Sequence, residues 1–399
     1  MARLRKKLPF PELGVPWKML KGRIVNRGQK MPPWRERTVD HGELRLVDGV
    51  PVVRVRGNPF QMGKAQGELI GEQTRKLFER YIHVFSHDVP GDIALAHEME
   101  KNLPQAYLEE IRGFGEGSGL GYEEALLGQC FLDIHKVALC STIAVHDSMT
   151  TTGEIMLGRN LDFPSLAIAH AASMVICYEP EGGRRFSGVT WPGFLGILSG
   201  MNENGLALAM MLVYGHKRKE HLEGLPFPFV FRRVLAECEN VDQAVKFLET
   251  RPYCTTTNVM LADKGRHAAR LQLHPHKAIV DRSTKEKPAL CCTNHFLEKG
   301  YRSFAFTWFS STLRLSRLRK AIASGVPFDE QRIKDVLKKT AIPTINIQRI
   351  LFKPERLEAE VAIGEVTTAH RKYTKLSRED LFPIAAPSQK AQEALSSRA

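Results

Sequence analysis

The order of local patterns along the chain predicts an α+β fold built in layers. Helical periodicity dominates between about residues 58 and 134. Short apolar or alternating runs, punctuated by Gly, Pro and Asn, dominate from about 139 to 213, and helices then alternate with strands to about residue 363. A chain of 399 residues, 43% hydrophobic and 25% charged, can bury a sizeable core in one large or two ordinary domains. No internal repeat is evident, and no apolar run is long enough to cross a bilayer.

Residues 1–42 read as a basic N-terminal arm, with Arg3, Arg5, Lys6 and Lys7 at its start and Trp17 and Trp34 within it. Such a segment is either a solvated, loosely docked arm or a basic-aromatic contact for a membrane or partner. Leu44 and Leu46 then alternate with polar residues, Asp48-Gly49 marks a turn, and Val53 and Val55 sit on a return strand, which is a hairpin pattern. The glycines of Gly57–Gly67 open a helix reaching about Val84. They are close-packing glycines rather than a phosphate loop, because Ala65 stands where a hydroxyl should follow Gly63-Lys64.

Helices over about Tyr107–Phe114 and Tyr122–Ile134 deliver the chain to Cys140. Strands Ile143–Ser148 and Glu154–Arg159 follow, joined by the turn 149–153. Further strands are expected at Ala172–Tyr178, Arg185–Thr190, Leu195–Ser199 and after the Asn204-Gly205 turn. Amphipathic helices follow at Phe227–Glu237 and Val241–Glu249. Strands return at Asn258–Ala262, His267–Leu273 and Ala278–Val280, and Cys291 and Cys292 look like buried strand residues. Ser310–Ser324 and Asp329–Lys339 read as helices, Ile345–Phe352 and Arg356–Ile363 as strands, and the remainder as a polar tail.

Composition narrows the functional classes. The formal net charge is +13, yet no nucleic-acid-binding pattern accompanies it, so nucleic acid is not expected as a partner. The seven cysteines lack framework spacing, which fits free thiols in a reducing compartment. With no secretory hydrophobic segment near the N-terminus, a cytoplasmic location is expected. No C-x-x-C or H-E-x-x-H occurs, so neither a metal nor a cofactor is expected. The sequence says nothing of oligomeric state.

The stretch that carries chemistry is Cys140-Ser141-Thr142 with Arg159 and Asp162 one hairpin downstream. The predicted hairpin returns Arg159 and Asp162 to the level of Cys140, so a cation and a carboxylate flank one sulfur. A Cys-His pair using His146 or His295 is a second way to activate that thiol.

Several motifs, in order, carry a family resemblance. They are Arg56–Gly63 with Gly67, Glu110–Leu120, Cys140 with Gly158-Arg159-Asn160-Leu161-Asp162, Gly200–Leu206, Thr293-Asn294-His295-Phe296, and Ser310-Ser311-Thr312-Leu313-Arg314. Together they resemble the N-terminal-nucleophile hydrolases of the C45 peptidase branch, which includes acyl-CoA:6-aminopenicillanate acyltransferase, with choloylglycine hydrolases as more distant relatives. The resemblance implies a four-layer αββα sandwich of two antiparallel sheets. It also implies a precursor cut between Leu139 and Cys140, with residues 43–139 as a helical pro-segment packed on the core and 140–399 as the core.

The resemblance further implies the roles. Cys140 attacks an amide or thioester carbonyl, its own freed α-amine acting as base. Arg159 lowers the thiol pKa, Asp162 holds the α-amine, Asn294 donates to the oxyanion, and Arg314 supports Asp162 or the site wall. Each also has a structural reading: an inert core thiol, an ion pair closing the hairpin, a turn cap, and a basic helix face shared with Arg317, Arg319 and Lys320. Two positions depart from the family pattern. Leu139 stands where relatives often have glycine, and Ala209–Val213 lack an asparagine, so one oxyanion contact comes from a backbone N–H or is missing.

The expected function is therefore a self-processing cysteine hydrolase or acyltransferase acting on a small-molecule acyl amide or acyl thioester. The alternative is an uncut, non-catalytic relative that binds lipid or a partner through its basic arm, and a peripheral membrane contact through that arm is compatible with either.

Overall fold

The structure, a computed structural model, describes residues 11–213, 224–250, 254–274, 277–298, 311–366, 368 and 371–383. Arg3, Arg5, Lys6, Lys7, Ser310 and the tail from 384 onwards lie outside them.

Two sheets stack face to face. The larger is built from β1 (Arg37–Val39), β2 (Gly42–Val47), β3 (Val50–Gly57), β6 (Met174–Pro180), β7 (Phe186–Thr190), β8 (Ser199–Asn202), β9 (Ala207–Leu212), β10 (Thr257–Ala262), β11 (Ala268–His274) and β12 (Lys277–Arg282), in that spatial order. The smaller runs β13 (Ala289–Cys292), β4 (Leu139–Asp147), β5 (Gly153–Asp162), β14 (Asn346–Lys353), β15 (Glu358–Ile363) and β16 (Thr374–Leu376). Strands β4 and β5 of the smaller sheet pack on β9 and β10 of the larger. Because both faces are covered, strands β4, β5, β9, β10 and β14 are buried almost throughout, polar residues such as Arg159, Asn160, Asn346 and Gln348 included.

Helices complete the layers. On the larger sheet lie α2 (Pro59–Leu77), α7 (Phe227–Glu237) and α8 (Val241–Glu249). Helix α2 runs on through a π turn (Phe78–Ile82) into α3 (His83–Phe85). Behind it stack α4 (Val89–Glu100), α5 (Gln105–Ser118) and α6 (Tyr122–His135). On the smaller sheet lie α9 (Ser311–Ala323) and α10 (Glu330–Thr340), so the order is α, β, β, α. The expected glycine packing is seen where α2 meets α5: a Cβ on Gly63 would sit 2.0 Å from the Glu110 carbonyl oxygen, and one on Gly113 2.2 Å from that of Phe60. Buried Glu110 of α5 also forms a bidentate pair with Arg232 of α7, at 2.6 and 2.9 Å.

Several expectations change. The sheets are not wholly antiparallel, since β3 pairs parallel with β6; residues 58–173 form the long crossover that a parallel pair requires. The segment 43–139 is more than a helical pro-segment packed on the core, because its β2–β3 hairpin is hydrogen-bonded into the larger sheet. The described part of the arm is not loosely docked: α1 (Pro11–Val25) packs on α3, and Trp34 Nε1 donates to the Ala171 carbonyl at 3.3 Å. Leu195–Ser199 is irregular up to Ser199, its Leu195 N–H being taken by Gln129 Oε1 instead of a strand. The C-terminal stretch is not all tail: β16 adds a strand, and Ser377 caps a short helix α11 (Arg378–Leu381).

Candidate active site

Strand β4 starts at Leu139 and pairs antiparallel with β5, setting Leu139 opposite Asp162, Cys140 opposite Leu161 and Thr142 opposite Arg159. Because side chains alternate along strands, Cys140 and Arg159 share the face turned to the larger sheet, whereas Ser141 and Asn160 face α10. Asn160 accordingly donates to Ser141 Oγ (3.0 Å), the Leu337 carbonyl (2.9 Å) and Thr340 Oγ1 (3.1 Å). The expected hairpin thus returns the cation to the sulfur: Arg159 Nη2 lies 3.4 Å from Cys140 Sγ. The guanidinium also donates to Ser199 Oγ and to the Met210 carbonyl, so both sheets hold it.

The loop after β13 brings the other members. Asn294 Oδ1 accepts from the Cys140 N–H at 2.7 Å and from Arg314 Nη2 at 2.9 Å, while its Nδ2 donates to the Leu212 carbonyl at 2.7 Å. Arg314 also donates from Nη1 to the Cys140 carbonyl oxygen. On α9, residues Ser311, Arg314, Leu315 and Leu318 are buried while Arg317, Arg319 and Lys320 are exposed. Arg314 therefore leaves the basic face and points inward. Asp162 Oδ1 accepts from the Ile342 N–H at 3.0 Å and Asn346 Nδ2 at 2.8 Å, and its buried Oδ2 has no hydrogen-bond partner among the described residues.

The site is sealed. Cys140, Arg159, Asp162 and Asn294 are 0% exposed and Arg314 2%. Burial pushes the Cys140 thiol up from its usual range. Arg159 and Arg314 pull it down, and Asp162 adds to the rise. The expected lowering by Arg159 is thus present but outweighed by desolvation while the chain is uncut. Burial likewise raises Asp162 to about 6 against the pull of Arg314 and its two donors.

Neither histidine proposed as a base touches the sulfur. His295 Nδ1 pairs with Ser311 Oγ at 2.7 Å, and His146 Nδ1 with Asp147 Oδ2 at 3.1 Å. Among the described residues no group of three or more His, Cys, Asp and Glu side chains is placed to hold a metal ion.

Four contributors were not anticipated: Ser199, Asn258, Ser311 in a bonding role, and Asn346. Buried Asn258, opposite Met211 on the neighbouring strand, donates to the Thr293 and His295 carbonyls, both at 2.9 Å, and so clamps the turn that carries Asn294. An asparagine opening the apolar run Asn258-Val259-Met260-Leu261-Ala262 was the available signal, since a polar side chain inside a buried strand needs partners. One residue past Asp162 begins an apolar cavity of about 30 Å³, whose walls include Phe78, Tyr81, Phe131, Phe163 and Trp191.

Residues 148–344 match the family described as acyl-coenzyme A:6-aminopenicillanic acid acyl-transferase, which spans Arg159, Asp162, Asn294 and Arg314 and begins after Cys140. Protein dcd1A of Dictyostelium discoideum is 26% identical over 49% of this chain and 52% of that protein. The N-acylethanolamine-hydrolyzing acid amidase of Cavia porcellus is 26% identical over 51% of this chain and 54% of that protein. The chain thus spans about half the length of these curated relatives. Among solved structures, the Caenorhabditis elegans N-acylethanolamine-hydrolyzing acid amidase ortholog aligns with a TM-score of 0.42 at 17% identity, over 60% of this chain and 99% of that one. The resemblance to N-terminal-nucleophile hydrolases of the C45 branch, read from the motifs, holds.

Proposed function

We propose that this relative of the acyl-coenzyme A:6-aminopenicillanic acid acyl-transferases is a self-processing cysteine amidohydrolase or acyltransferase acting on linear amides or acyl thioesters. One observation carries the reading: Arg159, Asn294 and Arg314, from three separated segments, converge on the sulfur, nitrogen and carbonyl oxygen of Cys140. A structural thiol needs no such set.

In the uncut chain the thiol is held protonated and shielded, as suits a precursor. Processing begins with attack of Cys140 Sγ on the Leu139 carbonyl carbon. The S–C bond forms as the Leu139–Cys140 C–N bond breaks, and the departing nitrogen takes the thiol proton. Water then hydrolyses the thioester, leaving a Leu139 carboxylate and a free Cys140 thiol and α-amine. Asn294 Oδ1, already the acceptor for that nitrogen, keeps the new amine in place. Asp162 Oδ2, a buried acceptor without a donor among the described residues, is the group available to a new cation nearby.

In turnover the α-amine takes the proton from Sγ, the sulfur attacks the acyl carbonyl, and the amine or thiol leaves with that proton. Water or an acceptor amine then removes the acyl group. Arg159 stabilises the thiolate once opening of the site lifts part of the desolvation penalty. Asn294 Nδ2 carries two hydrogens, one engaged by the Leu212 carbonyl, which leaves the second for the oxyanion. The relatives named for hydrolysing N-acylethanolamines support an amide bond. Seven free cysteines fit the reducing cytoplasm proposed for it.

The test is turnover of a long-chain N-acyl aminocoumarin by the purified protein. Release of the amine that vanishes in Cys140→Ala supports the reading. Release that persists in the variant contradicts it.

A further inference from the structure

We infer that helix α1 is an interfacial anchor that seats the protein on an anionic lipid surface. A helix packed on a protein ordinarily turns its apolar side inward; over residues 17–25 of α1 only Met19 does so, beside Lys18 and Gly22. Gly22 lies so close to Leu166 that an added Cβ would be 2.6 Å from that residue's Cβ. Buried Asn26, just past the helix, donates from Nδ2 to the Leu166 carbonyl at 2.8 Å and the Arg80 carbonyl at 3.1 Å. Lys18 Nζ caps the Phe85 carbonyl at 2.9 Å and lies 3.8 Å from the centre of the Phe85 ring.

Large apolar side chains of the described part of the helix lie outside. Trp17, Leu20 and Ile24 are 67%, 50% and 68% exposed. Their spacing of three and four residues puts them within about 60° of arc on the helix. Exposed Arg23 and half-buried Lys21, whose Nζ also reaches the Val84 carbonyl at 3.4 Å, flank that stripe, one on each edge.

Charge decides what the stripe meets. Residues 1–30 contain nine Lys or Arg and one acidic residue, Glu12, which is +8 of the chain's +13. A tryptophan-containing apolar stripe edged by cations matches the boundary between anionic headgroups and acyl chains. No described helix is long and apolar enough to cross a membrane, so α1 lies on the surface.

The test is co-sedimentation of the full chain carrying Cys140→Ala, which removes processing and turnover from the readout. Vesicles are phosphatidylcholine alone or with about 30% phosphatidylserine, at about 150 and 500 mM salt. The expected result is at least roughly tenfold stronger partition onto the anionic vesicles, weakened by salt. Adding Leu20→Asp with Ile24→Asp should reduce it by at least about tenfold with an unchanged melting temperature. Undiminished sedimentation of the folded double variant overturns the inference, as does equal binding to neutral vesicles. A dimer in solution that the double variant dissociates, with no vesicle binding, overturns it in favour of a contact between copies.

Discussion

The main-chain nitrogen of Cys140 lies 2.7 Å from Oδ1 of Asn294, and this contact reverses the direction expected of that side chain. As an oxyanion donor, Asn294 would turn its NH₂ towards the sulfur. Instead its oxygen faces the nucleophile's own N–H and its NH₂ holds the Leu212 carbonyl. Partner chemistry fixes the orientation, because the Cys140 N–H and Arg314 can only donate and a carbonyl can only accept.

Asn294→Ala should therefore impair processing as well as turnover. It leaves the Cys140 N–H, Arg314 Nη2 and the Leu212 carbonyl without this partner, at a cost of about 1–3 kcal/mol for each group stranded in the interior. Cleavage kinetics by gel and unfolding in urea measure both effects. Normal cleavage with lost turnover would restrict Asn294 to the later step.

Arg159 acts on the sulfur against burial, so its removal should raise the thiol pKa further. In the processed enzyme, Arg159→Met should move the acid limb of kcat/KM upward by on the order of one pH unit, and Arg159→Lys should recover part of it. A profile that keeps its limb and merely loses height would assign Arg159 to structure.

Asp162 predicts a pH dependence of the uncut protein. Its folded pKa of about 6 exceeds the ordinary 3.8, so the folded state binds the proton more tightly. The resulting stability is fully present below the unfolded pKa and lost as pH rises through about 6. The span corresponds to about 3 kcal/mol. Urea midpoints of Cys140→Ala between pH 4 and 7, with and without Asp162→Asn, isolate this contribution from that of buried Asp133, also raised, to about 7. Identical slopes in the two backgrounds would refute it.

Asn258 should tolerate loss of its side chain better than reversal of its polarity. Asn258→Ala removes two donors to the carbonyls beside Asn294, whereas Asn258→Asp sets a carboxylate against them. The aspartate variant should lose more processing and more stability, by roughly a further 1–3 kcal/mol. Equal effects would mean that the clamp does not position Asn294.

Much of this was legible because it is local. The Cys140 hairpin follows from two apolar runs and a glycine turn, and its register brings Arg159 to the sulfur. Helices α7 and α8 match their amphipathic spans residue for residue. What escaped was set by distant partners. The three-residue strand β16 exists through β15, the β3–β6 pair joins residues more than a hundred positions apart, and the direction of the Asn294 amide depends on Leu212 and Arg314. The thiol's raised pKa was missed for a similar reason: sequence places Arg159 beside the sulfur, but burial is a property of the finished sandwich.

The central claim is that Cys140 becomes useful by becoming an N-terminus. Leu139, whose bulk departs from the family pattern, sits in β4 opposite Asp162 at the bond to be cut. Intact mass spectrometry of the purified protein beside Cys140→Ala tests the claim most directly. The account predicts two fragments, one ending at Leu139 and one beginning at Cys140, in the unsubstituted protein alone. A single uncut species from both folded proteins, with turnover of acyl substrate retained in the unsubstituted one, would contradict it.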